Sequence, residues 1–143
     1  GDVYKRQLQN ESLLLDGGTD GIAIPSIERA QNPPVYYGTL EIKKTAQGLL
    51  IINELSLEAY LEAVVPSEMP ASYEEQALMA QAVCARTYAV CQIQENSLEK
   101  YGADVDDSVN YQVYNNFGAD KRTNKASRFP RPVQAGWKTG RFL

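Results

Sequence analysis

VVPSEMPASYEEQALMAQAVCARTYAVC, residues 64–91, sets one glutamate, Glu68, between Pro66 and Pro70 and then runs into a long alanine-rich segment. Proline lacks a backbone N–H and clashes with the preceding helical turn, so Pro66 is expected to end one helix and Pro70 to prevent its resumption. Each proline also biases the residue before it towards extended geometry, which would hold Glu68 on a stiff connection. Ser72 and Glu75 have the spacing of a capping box, so a second helix is expected over residues 73–94. Ala77, Ala80, Ala82, Ala85 and Ala89 allow close approach of neighbouring backbone and suggest that this helix is central. Arg86 lies among them and, if buried, needs a carboxylate or other acceptor. Glu68 has two readings at this point: a carboxylate that caps the helix entrance, or a group placed there for chemistry.

Upstream, Ser56 is a cap for a helix over residues 57–65. Leu55 before the cap and Tyr60 four residues into the helix have the spacing of a hydrophobic staple. Leu57, Tyr60, Leu61 and Val64 recur at helical spacing as the buried face, and Glu58 and Glu62 are expected on a solvated one. Residues 49–53 and 35–43 read as strands joined by a turn at 45–48, together a hairpin. Residues 22–27 form a shorter strand that Pro25 demotes to an edge, and residues 8–15 a further edge strand. The expected class is α+β, a hairpin-rich sheet region with two helices, the second alanine-rich and central.

The chain has 143 residues and is 43% hydrophobic, which suits one globular domain with a real core. No apolar run approaches the roughly 18 residues of a membrane span, and the start has no apolar core of a signal peptide. There is no histidine. That removes Ser-His and Cys-His nucleophile pairs and the commonest metal ligand. Cys84 and Cys91 are seven residues apart on one expected helix, about 10 Å along its axis. A disulfide needs Cα atoms within about 7 Å, so they are read as small buried hydrophobes.

Charge is uneven. All 18 acids lie in residues 1–120 with 7 basic residues, and the other 7 basic residues lie in 121–143. The tail KASRFPRPVQAGWKTGRFL shows no evident helix or strand period. Residues 127–143 read either as out-of-frame translation of GC-rich DNA or as a basic tail for a wall or nucleic acid, the first slightly preferred. A tail without a nucleic-acid motif on an otherwise acidic chain argues against nucleic acid. Residues 1–7, which include DVYKRQ, resemble the translation of a sequencing-library adapter and are set aside as a non-native leader. Residues 8–126 are taken as the domain.

Several stretches in order resemble the stage II sporulation protein D family, which shares its domain with the amidase enhancer LytB. They are INELSLEAYLEAVVPSEMP, the helix ALMAQAVCARTYA, Gln112-Val113-Tyr114, and TNKA at 123–126. The resemblance covers roughly residues 38–126, a partial domain. It implies a peptidoglycan lytic transglycosylase, which cleaves MurNAc–GlcNAc bonds of peptide-stripped glycan strands and leaves 1,6-anhydroMurNAc ends. The family's catalytic glutamate, in its PSEMP motif, falls on Glu68. The resemblance further implies an extracytoplasmic protein, secreted or anchored by a membrane segment absent from this chain, with a cell-wall amidase as a partner.

One carboxyl suffices for that chemistry. Ordinary glycosidases use two, whereas here the substrate's own C6 hydroxyl is the nucleophile. The acid must begin protonated, which the apolar Val64, Val65 and Met69 would favour, while the following helix N-terminus would favour the anion. Ser67 could hydrogen-bond this carboxyl or simply cap. Arg86 could orient Glu68, bind a sugar carboxylate, or pair with a structural acid. Gln112 and Tyr114 share one face of an extended segment, and either line a glycan cleft or form a half-buried strand face. Tyr88 reads as core.

The chain departs from the family after TNKA, where the expected apolar strand region is replaced by the basic tail. Some relatives hold zinc through Cys and His after the ARTY helix. Residues 94–107 contain neither, so no metal and no cofactor is expected. The alternative function is a non-catalytic peptidoglycan-binding module that activates an N-acetylmuramoyl-L-alanine amidase.

Overall fold

The computed structural model describes residues 12–29, 33–108, 110–115, 120–128 and 140–142. Residues 1–7, expected to be a leader, and most of the basic tail lie outside them.

The chain opens with β1 (Leu13–Asp16), β2 (Ile22–Ala23), β3 (Val35–Tyr36), β4 (Thr39–Thr45) and β5 (Gly48–Leu55). Three helices follow, α1 (Leu57–Glu68), α2 (Glu75–Glu95) and α3 (Lys121–Ser127), with a 3-10 turn at Glu99–Tyr101 and a last strand β6 (Gly140–Phe142). The fold is α+β. An antiparallel sheet in the order β1-β4-β5-β6 carries the helices, and β2 pairs with β3 beside it.

The β4–β5 hairpin forms as its alternation predicts, with Thr45 opposite Gly48. Leu40 faces Asn53 across the ladder and Ile42 faces Ile51, so these share a face. Leu40, Leu55 and Ile51 on that side pack with α1, α2 and three tyrosines, Tyr36, Tyr60 and Tyr114. Ile52 points the other way and meets Leu98 and Ala103 from the segment after α2. The strand expected over residues 35–43 is broken between β3 and β4 at Gly38. Its φ of +77° and the closeness of the Glu54 carbonyl oxygen to any added Cβ require glycine there. The strand expected at 22–27 is reduced to Ile22–Ala23.

Ser56 caps α1 as expected, its side chain accepting from the Ala59 N–H. Pro66 does not end the helix. It lies inside α1, which runs on to Glu68 and closes with the Met69 N–H on the Val65 carbonyl. The lost bond is the one to the Glu62 carbonyl, a turn from the helix end, and Val64 and Val65, the two residues before Pro66, are fully buried. Pro70 does stop it, with Met69 extended before it.

The capping box also fails. α2 starts at Glu75 with Glu74 at the cap position and no side-chain cap bond. The Glu75 carboxylate is held instead by Lys125 at 2.6 Å, which pulls its pKa below the usual value. α2 buries Leu78, Ala82, Ala85, Arg86 and Ala89 along one face. Cys84 and Cys91 lie on the opposite side at 100° per residue and are free and exposed, not buried.

α3 was not expected, and the segment thought to lack periodicity supplies its last turn, Lys125–Ser127. Asp120 caps it by accepting from the Arg122 and Thr123 N–H groups. Two of its basic residues dock on α2 and the turn before it: Arg122 donates to the Tyr73 carbonyl, and Lys125 pairs with Glu75. Just beyond it, Arg128 pairs with Glu62. β6 adds to the open side of β5, Asn53 opposite Phe142.

Glu58 and Glu62 are therefore not simply solvated. Arg86, with a side chain only 9% exposed, makes two bonds to Glu58, at 3.2 and 2.9 Å, and donates to the Ser127 carbonyl. Removing Glu58 strands a buried guanidinium, whereas Arg128 is 72% exposed and loses little with Glu62. Glu58→Ala should cost ~1–3 kcal/mol and Glu62→Ala less than about 0.5 kcal/mol. Urea denaturation of the two variants checks the contrast.

Candidate functional site around Glu68

Residues 57, 61, 64 and 68 follow one another on the inner stripe of α1. The first three are buried leucines and a valine. Glu68 is the fourth, at the point where the helix leaves the core, and its residue is exposed. Its Oε1 accepts the backbone N–H of Val113 at 2.8 Å. The nearest helix end is thus the carbonyl end of α1, which opposes negative charge, and not the N-terminus of α2, which begins seven residues later.

Ser67 does not touch the Glu68 carboxyl by any described bond. Its Oγ donates to the Ala63 carbonyl at 2.7 Å and accepts the Asn115 N–H at 3.0 Å. Ser67 and Glu68 together therefore hold two alternate N–H groups, those of residues 113 and 115, on one edge of an extended segment.

The other face of that segment goes inward. Gln112 is buried; its Oε1 accepts from the Tyr60 hydroxyl at 3.1 Å and its Nε2 donates to the Ala85 carbonyl at 3.2 Å. Tyr114 stacks between Tyr60 and Tyr36, with centroids 6.1 and 6.2 Å away. Gln112 and Tyr114 thus share a face as expected, but that face is core. Arg86 is bound to Glu58 and the Ser127 carbonyl, so of its three readings the structural acid is the one seen. Tyr88 is half-buried, its hydroxyl donating to the Asn110 carbonyl at 3.4 Å.

The residue that sequence reading missed is Val113. It contributes a backbone N–H, which leaves no mark in residue type. The available signal was the spacing 57-61-64-68, which puts Glu68 on the buried stripe once the helix is carried through Pro66.

Behind the tyrosine stack lies a cavity of about 230 Å³. Tyr36, Tyr60, Tyr114, Asn53 and the Arg29–Asp107 ion pair line it with Asp106. Neither Glu68 nor Ser67 reaches it. Among the described residues, no group of three or more His, Cys, Asp or Glu side chains could hold a metal ion. No helix among them is long and apolar enough to cross a membrane.

The family description "Stage II sporulation protein" matches residues 45–137, which includes every element from β5 to α3 and Glu68 itself. The chain belongs to the stage II sporulation protein D family. The match continues into the basic segment beyond α3. An uncharacterised protein of Brachyspira hyodysenteriae is 41% identical over 79% of this chain and 27% of its own length. The Amidase enhancer of Bacillus subtilis is 32% identical over 85% of this chain and 20% of its own length. Stage II sporulation protein D of the same organism is 43% identical over 44% of this chain and 19% of its own length. The chain spans about a fifth to a quarter of these curated relatives. No solved structure matches it.

The tyrosine stack gives this family domain a defined response to alkali. Burial raises the pKa of Tyr60 and Tyr114 well above the ordinary phenol value of 10.0, with neighbouring tyrosines adding to the shift. The folded state then holds these protons more tightly than the unfolded chain. Their contribution is complete below pH ~10 and is lost as pH rises above that value. Stability measured by urea melts should fall from about pH 10 upward, and Tyr60→Phe should flatten that fall. An unchanged slope in the variant would count against this assignment.

Proposed function

We propose that the domain works on the bacterial cell wall as a lytic transglycosylase of peptidoglycan, outside the cytoplasmic membrane, with Glu68 as its single acid and base. Its family and its relatives' names support a sporulation or cell-wall role. The observation that carries the finer reading is the Glu68–Val113 bond. It fixes one oxygen of an otherwise exposed carboxyl as an acceptor. In the neutral acid the proton must then sit on Oε2, which is left for substrate.

The steps follow from that orientation. Oε2–H gives its proton to the oxygen linking MurNAc to GlcNAc, and the C1–O bond breaks with its electron pair leaving on that oxygen. The C6 hydroxyl of the same MurNAc attacks C1. The Glu68 carboxylate takes the proton from that hydroxyl, so the O6–C1 bond closes the anhydro ring and the acid is restored. No water is consumed, and no second carboxylate is needed. The Val113 N–H bonds more strongly to the anion than to the acid, which helps the group through its charged stage. Glycan strands are the substrate in this reading. Arg86, Gln112 and Tyr114 support the site from within the fold.

A second reading is favoured by one observation, the likeness to a protein named Amidase enhancer. In it the same surface binds peptidoglycan and stimulates a cell-wall amidase without chemistry of its own.

Digestion of purified peptidoglycan, with and without stem peptides, separates the two. Mass spectrometry should find 1,6-anhydroMurNAc ends, more on stripped strands, and Glu68→Gln should lower their yield by at least about a hundredfold. Stimulation of an amidase without any anhydro product would establish the second reading instead.

A further inference from the structure

The Val113 N–H can meet Glu68 only if the extended segment 112–115 is held in one register and at one height against α1. Backbone bonds to a partner strand do not do this, because residues 112–115 belong to no strand of either sheet. The holding is done by side chains. Gln112 spans two helices, taking the Tyr60 hydroxyl of α1 and giving an N–H to the Ala85 carbonyl of α2. Both contacts are buried, so neither has water as an easy substitute. Tyr114 adds stacking, which resists lifting but tolerates sliding, whereas the two Gln112 bonds fix position along the segment. Ser67 then takes the Asn115 N–H in a part-buried bond.

We propose that Gln112 is a positioning residue for Glu68: by bridging Tyr60 and the Ala85 carbonyl it sets the register that puts the Val113 N–H on Glu68 Oε1, and it does not bind substrate. The catalytic part of this inference rests on the transglycosylase reading, while the register part does not. A shift of the segment by one residue would turn the N–H at that position to the opposite edge, away from Glu68, and would swap the inward and outward side chains. Losing only one of the two Gln112 bonds should loosen the segment without releasing it, because Tyr114 remains stacked.

The direct probe is the Val113 amide proton, followed by ¹H–¹⁵N NMR through a pH titration of the whole chain. Bonded to a carboxyl, it should move as Glu68 ionises. Glu68→Gln should abolish that movement, and whatever persists in this variant belongs to other groups. Tyr60 and Tyr114 keep their protons throughout the acidic range and do not contribute. In Gln112→Leu, the Glu68-dependent movement should fall to less than half of its wild-type size. Tyr60→Phe, which keeps the ring and removes only the hydroxyl, should cause a smaller loss and serves as the deciding variant if Gln112→Leu does not fold. On soluble stripped glycan, kcat should fall by about tenfold to a hundredfold while KM stays unchanged. An undiminished Val113 titration in the folded variant overturns the positioning role, and a raised KM with unchanged kcat would make Gln112 a substrate binder. Absence of activity in the wild type would defeat the transglycosylase reading alone, since the amide titration still decides the register.

Discussion

The inner stripe of α1 is the constraint on which the other elements depend. Leu57, Tyr60, Leu61, Val64 and Val65 are all buried, and the first four pack into one core with residues of the sheet, α2 and the 112–115 segment. Full burial of one such side chain is worth roughly 1.5–3 kcal/mol. A proline in a helix interior costs about 3 kcal/mol, and less in a last turn where few bonds remain to be lost. Five buried residues in register thus outweigh Pro66, and the helix passes through it. Had the helix stopped at Val65, the stripe would end in apolar residues and Glu68 would hang on a loop.

Carrying the helix three residues further changes what kind of site this is. A carboxylate on a proline-fixed connection would be placed by loop geometry. Here it is placed by the rotation of a packed helix, which is the more rigid support. Its partner is equally constrained from the other side, since Gln112 and Tyr114 anchor the facing segment in the core. The exposed group is therefore held between two buried ones, and the carboxyl meets solvent without being free to wander.

The parts of this arrangement that were legible in the sequence are those written in residue type at a fixed period. The β4–β5 alternation, the Ser56 cap, the buried face of α1 and the shared face of Gln112 and Tyr114 all have that form. What escaped has other causes. Pro66 was read by its local penalty, and tertiary burial overrode it. Glu58 was read as solvated because its partner, Arg86, is 28 residues away, although the need of Arg86 for a carboxylate was plain. Cys84 and Cys91 were read by hydrophobicity, while their angular position on α2 sets them outside. α3 is a seven-residue helix, too short for a periodic signal, and it stands where it does through Asp120 at its cap, through Glu75, which Lys125 meets, and through the Tyr73 carbonyl, which Arg122 meets.

Those same pairings alter the meaning of the charge asymmetry. Arg122, Lys125 and Arg128 belong to the basic end of the chain, and each is engaged by α1 or α2 or the turn between them. Their charge holds α3 across the base of the two helices, where the Ser127 carbonyl also receives Arg86. These three basic residues therefore act within the fold, Lys125 and Arg128 as partners of acids on α2 and α1 and Arg122 as a donor to a backbone carbonyl. The site residue Val113 carries the same lesson at a smaller scale. Because its N–H makes the contact with Glu68, any residue other than proline could stand at 113 and keep it. Selection on the contact would act on Gln112 and Tyr114, the side chains that hold the backbone in place.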